Sequence, residues 1–347
     1  MKIYQTNEIK NIALIGSAGS GKTTLAESMV YEAGIIKRRG SVEGKNTMSD
    51  YFPVEQEYGY SVFSTVFHVE WNGKKLNIID CPGSDDFVGA AVTAMNMTDA
   101  CMMLINGAVG PEVGTQNQFR YTESLKKPVI FVVNKLDSEN CDFDQVLDKL
   151  KTTYGSKVVP IQYPVNPGAN YNAMIDVLKM KKYSWSEEGG APTIEDIPAT
   201  EMAKAEEWHN ALVEAAAEHD DALMEKFFDT MELSEEETLE GICKGLQSRG
   251  MFPVCCVCAG KDMGVHRLME FLGDVVPSAQ EMPAVTNTHG EEVNPDPSAP
   301  TSLFFFKTAV EPHIGEVQYF KVMSGTVHEG DDLTNSDRGS KEDDDAA

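Results

Sequence analysis

The chain has 347 residues, 41% of them hydrophobic, and a formal net charge of −26. That length fills more than one domain of ~100–200 residues, and the apolar content supports a sizeable core, which excludes wholesale disorder. The negative field opposes non-specific DNA or RNA binding, but leaves docking on the protein parts of a ribonucleoprotein open. No apolar run approaches the ~18 residues of a membrane span, and Met1–Lys10 carries no signal-peptide core. With an odd number of cysteines, seven, the expectation is a cytoplasmic chain with reduced thiols and no membrane partner.

In chain order, Asn11–Ile15 is a short apolar run of the kind found in buried parallel strands. A Gly-rich stretch follows, then Leu25, Met29, Val30 and Ala33 at helical spacing, with Gly34 placed to end the helix. Residues 35–60 have little periodicity and read as a mobile loop. Ser61–Trp71 and Lys75–Asp80 read as strands joined by an Asn72-Gly73 hairpin turn. Ala100–Ile105, Pro128–Val133 and Pro253–Val257 are further buried-type runs, separated by helical patterns. The alternation predicts an α/β fold with a doubly wound, mainly parallel sheet.

Between Pro160 and Gly250 the rhythm breaks into a loop-rich stretch and acidic helices, with Ala205, Trp208, Leu212, Ala215, Leu223 and Phe227 as an apolar stripe. This segment, about 160–250, reads as an insertion in a nucleotide-binding domain of residues 1–280. Residues 201–240 hold 14 Asp/Glu against two Lys, which fits either a solvated helical face or a docking surface for a basic partner. Residues 281–300 read as a linker. Leu303–Val310 and Glu316–Val322 are strand-like and open a second domain over 301–347, with an acidic tail from Lys341 to Ala347.

Gly16-Ser17-Ala18-Gly19-Ser20-Gly21-Lys22-Thr23 fits GxxxxGK[ST] and lies between a strand and a helix, as that motif requires. Glycines let successive N–H groups turn toward phosphate oxygens, and the helix N-terminus, with Thr24 in its first turn, adds partial positive charge. Lys22 is placed to reach the β- and γ-phosphates, and the Thr23 hydroxyl to ligate Mg²⁺. Asp80, at the C-terminal end of a strand, is placed to hold a Mg²⁺-bound water, and the Gly83 N–H to meet the γ-phosphate. Asn134-Lys135-Leu136-Asp137 follows another strand. A carboxylate at Asp137 accepts from guanine N1–H and the 2-amino group, whereas adenine offers neither, so the base is guanine and a generic ATPase is disfavoured. Lys135 can lay its stem along the base and Asn134 can brace the phosphate loop; the competing role for Asp137 is a helix cap. Cys258-Ala259, after the last buried strand, is placed to offer backbone N–H groups to guanine O6. Cys255, Cys256 and Cys258 fit buried thiols better than metal ligands, since neighbours on a strand face opposite ways.

These motifs, with the segments Asp50–Val62, Asn106–Glu112, Val159–Pro164, Asp220–Lys226 and Phe320–Thr326, resemble the elongation factor G family of translational GTPases over about Glu8–Lys341. The resemblance implies GTP, GDP and Mg²⁺ as ligands, and the ribosome as partner. It implies that the insertion meets the stalk protein and that residues from about 300 open a β-barrel domain II. The family's tRNA–mRNA contacts belong to C-terminal domains outside this sequence, which therefore reads as an N-terminal portion unable to translocate alone. A GTP-dependent rescue or antibiotic-protection factor is the alternative, as is an ordinary, fully active translational GTPase.

The sequence departs from the family where hydrolysis is done. The family's catalytic His position, in Asp-x-Pro-Gly-His, is Ser84. The family's Arg-Gly-Ile-Thr reads Tyr58-Gly59-Tyr60-Ser61, which keeps a hydroxyl for Mg²⁺ at Ser61 but loses the arginine and the apolar residue. Ser17-Ala18-Gly19 replaces His-x-Asp. The expectation is a divergent paralogue that binds GTP but hydrolyses it weakly or not at all.

Overall fold

The computed structural model describes residues 2–187, 189–287, 290–311, 314–335 and 340–342. The chain divides into two compact units, Met1–Ser278 and Ala279–Ala347.

In the first unit, β1 (Ile9–Ile15) leads through the Gly-rich turn into α1 (Lys22–Glu32). Gly34, at φ 73°, takes the left-handed turn that ends α1, as expected. The short helix α2 (Pro53–Tyr58) precedes the hairpin of β2 (Thr65–Trp71) and β3 (Lys74–Asp80), whose two-residue turn places Asn72 and Gly73 at φ 44° and 81°. Positive φ at both positions is the type I′ geometry that an Asn-Gly pair favours. There follow α3 (Val88–Met97), β4 (Ala100–Asn106), α4 (Val113–Ser124), β5 (Val129–Asn134), α5 (Phe143–Tyr154) and β6 (Val158–Pro160).

The main sheet is completed by β11 (Phe252–Cys256) and runs β2-β3-β1-β4-β5-β11-β6. Every pairing is parallel except that of the β2–β3 hairpin. The chain moves one way from β1 to β3 and the other way from β3 through β4 and β5. Right-handed crossovers therefore put α1 on one face and α3, α4 and α5 on the other. The final helix α9 (Val265–Val275) packs on α1. All residues of β5 and β11 are buried, which explains why they read as unbroken apolar runs.

Between β6 and β11 the segment described above as loop-rich contains a second, antiparallel sheet. Its strands β7 (Gln162–Pro164), β8 (Ala173–Asp176), β9 (Lys181–Ser184) and β10 (Thr193–Glu195) pair in the order β10-β9-β8-β7. The acidic helices follow: α6 (Ala199–Ala217), α7 (Asp221–Thr230) and α8 (Glu235–Gln247). Asp220 caps α7 by accepting from Ala222 and Leu223 N–H, and a Ser234/Glu237 capping box starts α8. Ala205, Leu212, Leu223 and Phe227 of the expected stripe are buried, whereas on α6 the stripe continues through Ala216 rather than Ala215.

The stretch 35–60, expected as a mobile loop, contains the short helix α2 and is tied down by side-chain bonds. Two buried glutamates hold it: Glu27 accepts from Gly40 and Met48 N–H at 2.7 Å each, and Glu55 accepts from Val62 and Phe63 N–H at 3.0 Å each. The Glu55 bonds also explain why β2 begins at Thr65 and not at Ser61, because they take backbone donors that a ladder would otherwise use.

In the second unit a two-stranded ladder, β12 (Val285–Thr286) with β13 (Glu292–Val293), precedes the long hairpin of β14 (Ser302–Glu311) and β15 (Gly315–Ser324). A last pair, β16 (Leu333–Asn335) and β17 (Ser340–Glu342), follows. Beyond Glu342 the expected acidic tail lies outside the described residues. Among the described residues no helix is long and apolar enough to cross a membrane.

Candidate nucleotide-binding site

The C-terminal ends of β1, β3, β5 and β11 converge on one edge of the main sheet, where ligands bind in such folds. A cleft of ≈ 470 Å³ opens there, bordered by Ala18, Gly19, Gly21, Lys22, Thr23, Thr24, Ser61, Gly83, Ser84 and Lys135. Ser17 and Ser20 are buried behind it.

The loop after β1 depends on its glycines. Gly16, Gly19 and Gly21 sit at φ 136°, 76° and 95°, where side chains are strained. At Gly16 a Cβ would collide with the Leu104 carbonyl, and at Gly21 with the Asn134 amide. The loop is braced from outside as well. Gly16 N–H donates to Gln118 Oε1 at 2.6 Å, Ser17 Oγ pairs with Thr115 Oγ1 at 2.8 Å, and Asn134 Nδ2 donates to Ser20 O at 2.9 Å. Asn134 thus stands where the sequence placed it, whereas Thr115 and Gln118 were missed. Their only sequence signal is two polar residues at helical spacing on a face that also carries Phe119.

Lys22 is buried, and its Nζ donates to Gly16 O at 2.8 Å and Ser17 O at 3.0 Å. Burial lowers its pKa, and the Asp80 carboxylate opposes that shift. Gly83 lies so close to Lys22 Nζ and Ala18 N that a Cβ would fill the approach to both. The Thr23 hydroxyl donates to Asp80 Oδ2 at 3.2 Å and pairs with Ser61 Oγ at 3.1 Å. Burial pushes Asp80 up to about 7, against the pull of Lys22 and with a further push from Asp50.

Asp50 is the third residue missed. It is buried, its carboxyl is raised above the usual range by burial, and Ser61, Thr23 and Lys22 each partly offset that rise. Asp50 Oδ1 and Asp80 Oδ1 are both buried with no hydrogen-bond partner among the described residues. Two unsatisfied carboxylate oxygens beside two hydroxyls form an all-oxygen donor set suited to a hard divalent cation such as Mg²⁺. The residues present therefore fit that ion beside a phosphate.

At the far end, Lys135 takes φ 60° and stands exposed beside the cleft, while Asp137 Oδ2 is 3.5 Å from Lys261 Nζ. Asp137 caps no helix: the N-cap of α5 is Asp142, which accepts from Gln145 N–H. The loop after β11 departs from expectation in one respect. Cys258 N–H donates to Met263 O and Ala259 N–H to Asn134 Oδ1, each at 2.9 Å. Both donors assigned to guanine O6 are thus engaged within the protein, and Asn134 joins the phosphate loop to the base loop through its two amide atoms. Cys255, Cys256 and Cys258 are buried, and burial raises each thiol. Ser84 borders the cleft with its hydroxyl turned along the chain, accepting from Asp86 N–H at 3.4 Å.

Comparison with known proteins agrees with this geometry. Residues 7–278 match the family model of the elongation factor Tu GTP binding domain. The chain is 32% identical over 348 residues to elongation factor G of Rhodopseudomonas palustris (strain BisB18), covering 98% of this chain and 50% of that relative. A crystal structure of a Thermus thermophilus protein superimposes with a TM-score of 0.85 at 29% identity, over 96% of this chain and 48% of that one. The chain spans about half the length of these relatives. It belongs to the elongation factor Tu GTP-binding domain family and, within it, is similar to elongation factor G.

Proposed function

We propose that this chain binds GTP and GDP with Mg²⁺ and, as part of a translation factor of the elongation factor G type, acts on the ribosome in translocation with weak or lost GTP hydrolysis. Binding is supported by the glycine-shaped loop, buried Lys22 and the paired oxygens of Asp80 and Asp50. Lys22 would hold the β- and γ-phosphates, Thr23 and Ser61 would offer hydroxyls to Mg²⁺, and Asp80 would hold a water for it. Gly16–Thr24 and Gly83 contribute backbone N–H groups. Mg²⁺, when bound, would supply positive charge that offsets the charge of the phosphates. Asp137 accepts from guanine N1–H and the 2-amino group with Lys135 along the base, and guanine O6 shares the Ala259 N–H with Asn134, in the loop that Cys258 begins.

The observation that carries the weak-hydrolysis reading is Ser84. Its hydroxyl accepts from its own chain, bears no charge and reaches less far than an imidazole. Positioning and electrostatics supply most of the catalysis of phosphoryl transfer, so such a loss costs about 10²–10⁴-fold. The acidic helices α6–α8 suit the docking of a basic stalk-side partner. The test is ribosome-stimulated phosphate release by the full-length protein beside its Ser84→His variant. Slow wild-type release that the variant accelerates is expected; brisk release, unchanged in the variant, would refute the reading.

A further inference from the structure

Arg39 lies in the segment between α1 and α2, and its guanidinium spans to the loop after β11. Nη1 donates to Gly260 O at 2.8 Å and to Asp262 Oδ2 at 3.1 Å, and Nη2 donates to Ala259 O. Asp262 holds φ 55° and accepts from Ser28 Oγ of α1 at 2.6 Å, so the turn Ala259–Asp262 is gripped from two sides. A planar fork that meets three acceptors of one turn fixes that turn's shape in a way a point charge cannot. The next residue, Gly40, donates to Glu27, four residues along α1 from Thr23. A Cβ at Gly40 would strike Asn46 O and Glu27 Oε1, so the chain passes here in close contact. The same stretch continues through Met48, also on Glu27, to Asp50 beside Thr23.

We propose that Arg39 is a positioning residue for guanine: it clasps the base loop to the segment that closes over the phosphate side. The clasp holds Ala259 against Asn134 and Lys261 beside Asp137, and release of the nucleotide requires it to open. Retention of the base is thereby linked to the packing of residues 39–50 on Glu27. Nothing else in the sequence announces this, since the partners of Arg39 lie more than 200 residues away, at separations of 220, 221 and 223.

The inference rests on guanine-nucleotide binding at this site, and its test separates the two. GDP dissociation is followed for wild type, Arg39→Ala and Arg39→Lys, with competition by inorganic tripolyphosphate and thermal melting on each. Arg39→Ala is expected to release GDP about tenfold faster, the size of effect that losing a charged hydrogen-bond fork produces. Arg39→Lys, which keeps charge without the fork, is expected to fall between. Tripolyphosphate, which has no base, should compete equally in all three. GDP release within about twofold of wild type in both variants, or equal loss of GDP and tripolyphosphate binding, overturns the role of Arg39. A wild-type protein that holds no GDP defeats the nucleotide reading itself. Should Arg39→Ala melt too early to assay, Arg39→Lys alone decides: release at the wild-type rate refutes the clasp.

Discussion

The two sides of the phosphate cleft are built on different principles. On the binding side, Lys22, Thr23, Asp80 and Asn134 are buried, and each is fixed by bonds to the loop or to one another. On the side where the attacking water would stand, Tyr58 is 62% and Tyr60 46% exposed, in loose ring contact at 5.9 Å. Tyr60 in turn lies 6.5 Å from Phe87, near half-exposed Ser84. On the proposed reading, affinity comes from preorganised backbone and buried charge, which tolerate little change. On the same reading, turnover depends on side chains at an open rim, where substitution leaves the fold intact. The family's nucleotide grip and its hydrolysis can therefore diverge separately.

The sharpest way to test that separation is at the base. In Asp137→Asn an amide replaces the carboxylate proposed to accept from guanine, so GDP affinity should fall on the order of 10³-fold. Xanthosine diphosphate, which presents a carbonyl where guanine has its amino group, should gain correspondingly. Equilibrium titration with both nucleotides checks this. If XTP is then turned over at the rate wild type shows for GTP, the two sides are independent. A changed rate per bound nucleotide breaks the comparison.

Lys22→Ala comes next, because it tests the assignment of Lys22 to the binding side. Removing a buried cation proposed to hold the phosphates should weaken GDP and GTP binding about a hundredfold or more. Fluorescent-nucleotide titration measures it. Binding that survives intact, with only turnover lost, would move Lys22 to the hydrolysis side and redraw the boundary.

How much of this was legible follows from where each residue's partners lie. The β1–loop–α1 unit, the ends of β3 and β5 and the Asn72-Gly73 hairpin are local events, in which a strand hands over to a turn within a few residues. The sheet β7–β10 was not legible: its strands are three or four residues long, and β7 and β8 are buried throughout, so no alternation marks them. The order of residues 35–60 comes from Glu27 and Glu55, and tertiary contact leaves no periodicity behind. Arg39 is the extreme case. The engagement of Cys258 and Ala259 N–H within the protein was equally invisible, because it depends on the side chain of Asn134 and on the bridge from Cys258 to Met263.

The smallest effect is expected at Asp142, five residues after Asp137 and of the same chemical type. Its carboxylate caps α5 by accepting from Gln145 N–H at 3.0 Å, at an exposed position away from the cleft. Asp142→Ala should cost ~1 kcal/mol of stability, about 2–4 °C in melting temperature for a domain of this size, with no change in nucleotide affinity. Asp137→Ala should do the reverse, lowering affinity steeply while leaving the melt of the nucleotide-free protein near wild type, since its carboxylate is not the cap of α5 and its ion-pair partner Lys261 is partly exposed. Parallel melts and titrations of the two variants give the contrast directly. An affinity loss in Asp142→Ala, or a large drop in the melt of Asp137→Ala, would show that base recognition and the folding of α5 are one unit.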